Sequence, residues 1–399
     1  MSSDECIKVT EQFGAHNYHP LAVTLVEGDG SWVWDADGNK YLDCVGSYSA
    51  MAHGHRSKSV IDAAREQLDH LTLTSRAVYT RELALFLKAL CEYSELDMAC
   101  PMNSGAEAIE TCIKLARKWG YTVKGIPEGK AEIIVANENF HGRTTTIIGF
   151  SSEAQYRSGF GPFTPGFISV PFGDIEALRR AITPNTAAIM MEPIQAEAGI
   201  LFPPDGYMAA VRKECTAQNV LLVWDEIQTG FCRTGKKFAW MHEDAKPDLM
   251  AVGKALGGGL FPVSAAIGTK EVVSVFHPGD HGSTFGGNPL GCAIAIMAMA
   301  EMEANDLAAK SEVAGKLLLD GFSAIGHPSI LEIRGRGLLV GLEFKEGTDT
   351  QKLVGNFLKE GIITKETRHR TFRFAPPLTT SREEIDEIVS RTRRAIEAL

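Results

Sequence analysis

Two short apolar runs, each followed at once by a charged residue, constrain the fold of this chain more than any other feature. Residues 221–224 (LLVW) have the length and composition of a buried parallel strand, and Asp225 follows them. Residues 249–252 (LMAV) form a second such run, and Gly253 and Lys254 follow it. Because the carboxyl ends of parallel strands meet at one edge of a sheet, where such folds bind ligands, we expect Asp225 and Lys254 to lie together there.

A lysine and an aspartate at that edge suit the chemistry of pyridoxal 5′-phosphate. The lysine amine bonds to the aldehyde of this cofactor, and the carboxylate keeps the pyridine nitrogen protonated so that the ring can act as an electron sink. Either residue alone can equally be a solvated side chain at the mouth of a loop. The pair, with each member directly after an apolar strand, favours the cofactor interpretation.

The rest of the chain alternates strands with helices. Residues 131–136 and 187–191 are further buried strands, and residues 207–218 have helical spacing, which is typical of a mostly parallel sheet. Residues 23–44 differ, because their apolar runs are separated by Asp-Gly turns at 29–30 and 37–38. This pattern predicts an antiparallel meander in a smaller unit.

A helix start at residue 104 predicts an anion site. Ser104 and Glu107 form a capping box, and apolar residues then recur at helical spacing until Gly120. The free backbone N–H groups and the helix dipole at such a start favour a phosphate. Alone, the pattern indicates only a well-capped helix. Beside a candidate pyridoxal lysine, it predicts the phosphate site.

Composition limits the function classes. The length of 399 residues suggests two domains, and the net charge of −10 argues against nucleic acid as the main partner. The eight cysteines lack metal-ligand spacing and indicate reduced thiols of a cytoplasmic protein. His53 and His55 lack a suitably spaced third ligand, so we expect no metal site. No apolar run approaches the ~20 residues of a membrane span, so no membrane association is expected.

With these motifs in place, the chain resembles the class III aminotransferases, which are pyridoxal phosphate enzymes of fold type I. The stretches GKALGGG and DEIQTG carry the class resemblance, together with HGST, GGNPLG and RFAPPL. The stretches NYHPLAV, LTLTSRA and RKWGYTVKGI are most similar to the ornithine aminotransferase branch. The resemblance implies an α/β fold with a large domain (46–296) built on a mostly parallel seven-stranded sheet. A smaller α+β domain would combine residues 1–45 and 297–399.

The resemblance also implies roles for the cofactor residues. Lys254 would carry the cofactor and move the proton, with its pKa lowered by burial and a positively charged neighbourhood. Asp225 would bind the pyridinium. The other contacts would be Gln228 at the phenolic oxygen, Phe140 and Ile227 on the ring faces, and Ser104, Gly105 and Ala106 at the phosphate. Ser283 and Thr284 would reach the phosphate from a neighbouring subunit, which implies a homodimer.

Five residues are expected to bind substrate. By the resemblance, Arg143 binds the distal carboxylate of glutamate or 2-oxoglutarate, and Arg373 binds their α-carboxylate. Tyr18 with Arg143 would orient ornithine, and Tyr48 would line the substrate slot. Glu197 is the candidate to mask Arg373 while ornithine reacts, because a free Arg373 would capture the α-carboxylate of ornithine and present the wrong amine. Tyr18, like Phe140, can alternatively be a packing aromatic.

The expected reaction transfers the δ-amino group of ornithine to 2-oxoglutarate. Two alternatives stay open. One is another class III enzyme that acts on N-acetylornithine or 4-aminobutyrate, and the other is a non-catalytic ligand-binding or scaffold protein with this fold. The joint presence of Lys254, Asp225 and Arg143 favours an enzyme.

Overall fold

The computed structural model describes the backbone of residues 1–399 and every side chain apart from that of His369. Its strands, in chain order, are β1 Leu25–Asp29, β2 Trp32–Asp35, β3 Lys40–Asp43, β4 Met98–Met102, β5 Glu132–Ala136, β6 Phe167–Val170, β7 Thr186–Met191, β8 Leu221–Asp225, β9 Leu249–Val252, β10 Ser264–Gly268, β11 Ile330–Arg336, β12 Leu339–Phe344, β13 Ile362–Ile363, β14 Lys365–Glu366 and β15 Thr371–Phe374.

The α-helices are α1 Ser3–Phe13, α2 Gly46–Ser49, α3 Lys58–Leu68, α4 Arg81–Ser94, α5 Gly105–Trp119, α6 Thr145–Gly149, α7 Ala154–Arg157, α8 Ile175–Ala181, α9 Tyr207–Ala217, α10 Lys270–Val273, α11 Pro289–Ala304, α12 Leu307–Ser323, α13 Thr350–Lys359 and α14 Arg382–Glu397. A π-turn, Gly120–Lys124, extends α5, and 3₁₀ turns span Ala239–His242, Lys254–Gly257 and Arg368–Arg370.

The central sheet has seven strands in the order β4-β10-β9-β8-β7-β5-β6. Only β10 runs antiparallel to its neighbours, and the other described strands of this sheet are parallel to one another. The predicted α/β class with a mostly parallel seven-stranded sheet is therefore confirmed.

Helices cover both faces of this sheet, which explains why its strands are uniformly apolar. Leu221 and Val223 of β8 pack in one core with the buried face of α5. Leu222 and Trp224 point to the opposite face and join the main core of the molecule. All five residues of β8, Asp225 included, are buried. The strand thus carries its carboxylate out of water.

Two four-stranded sheets flank the central one. The predicted meander forms β1-β2-β3, and β13 from the C-terminal part adds to its edge, parallel to β3. The other sheet has the order β11-β12-β15-β14. Because β13 joins the two ends of the chain, we propose that residues 1–45 and 297–399 form one small domain beside residues 46–296. The proposed boundary at 296 lies within α11.

Candidate active site

The carboxyl ends of five strands bring the candidate residues together at one edge of the central sheet. Asp225 is the last residue of β8, and Lys254 is separated from the end of β9 by Gly253 alone. Ser104 follows β4 and caps α5, while Phe140 and Glu192 follow β5 and β7. All five strands run in the same direction, so their ends lie at the same edge, which is where open α/β sheets bind ligands.

A cavity of about 200 Å³ lies at this edge. Of the residues predicted from the sequence, those lining it are Gly105, Ala106, Phe140, Asp225, Ile227, Gln228 and Lys254. Among the other residues that line the cavity are His141 and Glu192, which were given no role in advance. It is the place where the predicted lysine and aspartate share one solvent-accessible space.

Lys254 stands in an unusual backbone conformation and an unusual electrostatic environment. Its φ of +46° lies in the left-handed region, which costs a non-glycine residue on the order of 1–3 kcal/mol. The pKa of its amine is lowered to about 8, and burial is the main cause. Arg373 also lowers this pKa, whereas the carboxylates of Glu197, Asp225 and Glu192 raise it. The expectation of a positively charged neighbourhood is therefore only partly right. Burial is the main cause, and the acidic neighbours limit the shift.

Asp225 is held by two donors. The Nδ1 atom of His141 lies 2.7 Å from its Oδ2, and the backbone N–H of Ile227 donates to its Oδ1 at 3.0 Å. His141 is fully buried, and its Nε2 has no hydrogen-bond partner among the described residues. These contacts fix the plane of the carboxylate. His141 directly follows Phe140, and no local pattern in the sequence indicates its contact with Asp225.

Glu192 is a second buried carboxylate in the cavity wall. It accepts a hydrogen bond of 3.1 Å from the backbone N–H of Phe140. Burial, followed by the negative charge of Asp225, raises the pKa of Glu192 well above its usual value. Its position at the end of β7 matches that of Asp225 at the end of β8, so the rule that found Asp225 could have found Glu192 as well.

The start of α5 opens beside the cavity. The Ser104 hydroxyl accepts from the Glu107 N–H at 3.3 Å, so the predicted capping box is present. The first N–H groups of an α-helix lack partners within the helix, and those of Gly105 and Ala106 are at this start. A Cβ on Gly105 would come within 3.0 Å of Ile227, so glycine keeps this approach open.

Arg373 lies in a buried network with two other predicted residues. Its Nη1 donates to Glu197 Oε1 at 2.5 Å and to Gln228 Oε1 at 3.1 Å. The Gln228 amide in turn donates to Glu197 at 3.2 Å. Burial alone would raise the pKa of Glu197, but Arg373 and Lys254 more than reverse this and lower it. Glu197 is therefore held as a carboxylate against Arg373.

The remaining predicted substrate residues are Arg143, Tyr48 and Tyr18. The Arg143 guanidinium lies 3.6 Å from the ring centre of Tyr156 and 5.5 Å from that of Phe140. The Arg373 guanidinium lies 5.0 Å from the ring centre of Tyr48. Tyr18 is 69% exposed, which is more than a packing aromatic would be. Tyr156 is a partner of Arg143 that its place in the sequence did not indicate.

Ser283 and Thr284 do not line the cavity of their own chain. The Ser283 hydroxyl accepts from the Asn103 side-chain amide at 2.9 Å, and Thr284 is exposed. Both border a separate depression with Arg76 and residues 73–75. Within one chain, the structure does not bring these two hydroxyls to Lys254.

Comparisons with known proteins bear on this arrangement. Residues 13–396 match the model of the family described as Aminotransferase class-III. The chain belongs to the class III aminotransferase family.

Relatives of this aminotransferase extend over its whole length. An ornithine aminotransferase of Brevibacillus brevis is 52% identical over 391 residues, which are 98% of this chain and 97% of that protein. The structure of an ornithine aminotransferase from Toxoplasma gondii, with partial occupancy of PLP at its active site, superposes with a TM-score of 0.98 at 39% identity. It covers 100% of this chain and 94% of that one. An acetylornithine aminotransferase from Elizabethkingia anophelis gives a TM-score of 0.91 at 38% identity, with 100% of both chains covered.

The residues of the cavity fit pyridoxal phosphate. A buried lysine with a lowered pKa and a carboxylate held by His141 occupy one cavity, and the start of α5 opens beside them. A Cβ on Gly142 would lie 3.0 Å from the Cβ of Ala106, so a side chain there would close the space at the helix start. The amine, the carboxylate and the helix start therefore match the aldehyde, the pyridinium and the phosphate of one ligand.

The described residues contain no group of three or more His, Cys, Asp or Glu side chains placed to hold a metal ion. Among them there is also no helix long and apolar enough to cross a membrane.

Proposed function

We propose that this aminotransferase moves the δ-amino group of L-ornithine to 2-oxoglutarate and so forms glutamate 5-semialdehyde and glutamate. The observation that carries the proposal is the Arg373–Glu197 pair beside Lys254, because it provides a carboxylate site that is occupied by the protein itself. The 52% identity with an ornithine aminotransferase over nearly the whole chain supports the same substrate.

Lys254 is the residue that we assign to proton transfer. Pyridoxal phosphate, when bound, supplies an aldehyde for the amine and a ring that accepts electrons from the bond being broken. With the cofactor bound, the Nζ of Lys254 would take up the proton from the substrate carbon that bears the reacting amine and would return it on the other side of the same nitrogen. Its lowered pKa, about 8, keeps a useful fraction of the amine neutral near neutral pH, as general base catalysis requires.

The cavity walls orient the cofactor in this proposal. Asp225 would hold the pyridinium, and its contact with His141 keeps the carboxylate in one plane. Phe140 and Ile227 would flank the ring, and Gln228 would donate to its phenolic oxygen. The N–H groups at the start of α5, with Ser104, would bind the phosphate.

Two arginines and one glutamate select the amine that reacts. Glutamate and 2-oxoglutarate carry two carboxylates, which Arg143 and Arg373 bind as planar forks. Ornithine has one carboxylate, which we assign to Arg143 and Tyr18, with Tyr48 along the slot. Glu197 neutralises Arg373 while ornithine is bound, so the δ-amine is the one that reaches Lys254.

We further propose that the enzyme is a homodimer with shared active sites. Ser283 and Thr284 are displayed away from their own cavity, and they would complete the phosphate site of a neighbouring subunit. Exposed apolar side chains beside them support such a contact: Leu73, which borders the same depression, is 38% exposed, and Phe285 is 50% exposed. The eight free thiols favour action in the reducing cytoplasm.

N-acetylornithine is the second candidate donor, since an acetylornithine aminotransferase is among the structural neighbours. Initial rates of the purified enzyme with ornithine, N-acetylornithine and 4-aminobutyrate, each with 2-oxoglutarate, separate these activities. Ornithine should give the highest kcat/KM of the three. A higher kcat/KM for either of the other amines would overturn the proposed function.

A further inference from the structure

The loop that carries Glu197 lies on the β11-β12-β15-β14 sheet, between two arginines. Residues 195–201, which we call the Glu197 loop, close on themselves through backbone hydrogen bonds between Gln195 and Leu201. In the sheet below, Arg334 of β11 is directly opposite Gly341 of β12, which is directly opposite Arg373 of β15. Residues paired in this way share one face of a sheet, so Arg334 and Arg373 flank Gly341.

Gly341 lies within contact distance of the loop. A Cβ at this position would lie 3.4 Å from the Gly199 carbonyl oxygen and 3.4 Å from Ile200 Cβ. The loop therefore lies over Gly341, with Arg373 bonded to its Glu197 and Arg334 bonded to its far end. The two arginines hold opposite parts of one short segment.

Arg334 makes an extensive set of contacts with this loop and with the sheet. Its Nε donates to the carbonyls of Gly199 and Ile200 at 3.0 Å each, and its Nη2 donates to Gly199 at 2.6 Å. Nη2 also donates to Thr371 Oγ1 at 3.1 Å, and Nη1 pairs with Glu343. The side chain is only 10% exposed. Such a rigid fork fixes the positions of both carbonyls at once.

The loop needs this support because its backbone is strained. Gly199 has a φ of +102°, and Ile200, a β-branched and fully buried residue, has a φ of +57°. A β-branched residue in the left-handed region is an outlier that persists only where surrounding contacts determine it. The carbonyls that Arg334 binds belong to these two residues.

We propose that Arg334 is a positioning residue that sets the strength of the Arg373–Glu197 pair. By fixing residues 199 and 200, it holds Glu197 against Arg373 while ornithine reacts. It also keeps the loop in place when an α-carboxylate displaces Glu197, so that the pair forms again afterwards. Arg334 thus influences the choice between the two half-reactions without touching substrate or cofactor. This inference rests on the role of Glu197 in the proposed function.

The test uses Arg334→Lys, which keeps a charge beside Glu343 but lacks the fork that bridges two carbonyls. The two half-reactions are followed separately by the absorbance of the holoenzyme. We expect the rate with glutamate, divided by the rate with ornithine, to rise about 2–30-fold, the range typical of residues that modulate coupling. Arg336→Ala is the matched control. It removes a charge from the same strand, where Arg336 lies over Phe202, and should leave the ratio unchanged.

A binding measurement adds a readout that does not depend on turnover. Glutarate, an unreactive dicarboxylate, should bind the Arg334→Lys holoenzyme more tightly than the wild type in calorimetry, because Arg373 is less firmly paired. Weaker or equal binding in Arg334→Lys would contradict the inference.

A double-mutant cycle with Glu197→Ala separates the inference from the proposed function. If Arg334 acts through Glu197, Arg334→Lys should not change the ratio further once Glu197 is removed. A ratio that responds to Glu197→Ala but not to Arg334→Lys overturns the inference alone. A ratio that does not respond to Glu197→Ala overturns the proposed switch itself.

Discussion

Arg373 and Glu197, 176 residues apart in the chain, form an ion pair at 2.5 Å on the side of the cavity where Gln228 contacts both. The pair connects β15, in the β11-β12-β15-β14 sheet, to the loop that follows β7. An arginine already bonded to a carboxylate is available only to a ligand that brings a carboxylate of its own. This relationship lets one cavity treat ornithine and glutamate differently.

Replacing Glu197 tests that relationship. Glu197→Ala should raise the rate of the glutamate half-reaction relative to the ornithine half-reaction, because Arg373 becomes free for the α-carboxylate. If the interaction free energy of the pair is ~1–3 kcal/mol, the ratio of the glutamate rate to the ornithine rate should change by about 5–150-fold. Some ornithine should then react through its α-amine, which product analysis detects as a 2-keto acid. Glu214→Ala, which removes a surface partner of Arg179, is the control.

Lys254→Ala should abolish nearly all turnover while leaving a folded protein. The side chain supplies the proton transfer, and general acid–base catalysis contributes about 10²–10⁴-fold. The variant should still bind pyridoxal phosphate through Asp225 and the start of α5, and equilibrium dialysis measures this directly. Near-normal turnover would rule out Lys254 as the catalytic lysine.

The lowered pKa of Lys254 predicts a pH dependence for cofactor loading. Only the neutral amine attacks the aldehyde, and a pKa of about 8 makes the neutral fraction rise with pH. The rate constant for covalent loading of apoenzyme should therefore increase about tenfold between pH 7 and pH 9 and then level off. A rate that keeps rising toward pH 10.5, the ordinary lysine value, would mean that burial does not lower this pKa.

Assembly and cofactor affinity should be linked. If Thr284 reaches the phosphate of a neighbouring subunit, a ligand that needs both chains stabilises the dimer by mass action. Thr284→Ala should weaken cofactor binding, and dilution to monomers should release the cofactor, as sedimentation and fluorescence together can measure. Thr350→Ala, in α13, serves as the control. A demonstrated monomer that keeps its full cofactor affinity would disprove the shared site.

Local signals explain why so many residues of the cavity could be predicted to lie together. Asp225 and Lys254 each follow an apolar strand, and Ser104 with Glu107 specifies a helix start within four residues. These patterns depend on neighbours in the chain. The sheet order then places them together without further information.

The missing parts depend on contacts between distant segments. His141 meets Asp225 across 84 residues, and Arg334 meets Gly199 across 135. Neither contact produces a periodic pattern in the sequence from which it could be predicted. The same reason explains why the effect of the carboxylates on the pKa of Lys254 could not be predicted. Glu192 and Glu197 approach Lys254 only after the strands have paired.

The most direct test of the proposed function follows the nitrogen itself. The purified enzyme is given 2-oxoglutarate with ornithine that carries ¹⁵N at either the δ- or the α-position, and the glutamate formed is analysed by mass spectrometry. The account predicts labelled glutamate from δ-labelled ornithine and unlabelled glutamate from the α-labelled form. Label that arrives mainly from the α-position, or no glutamate from either form, would contradict it.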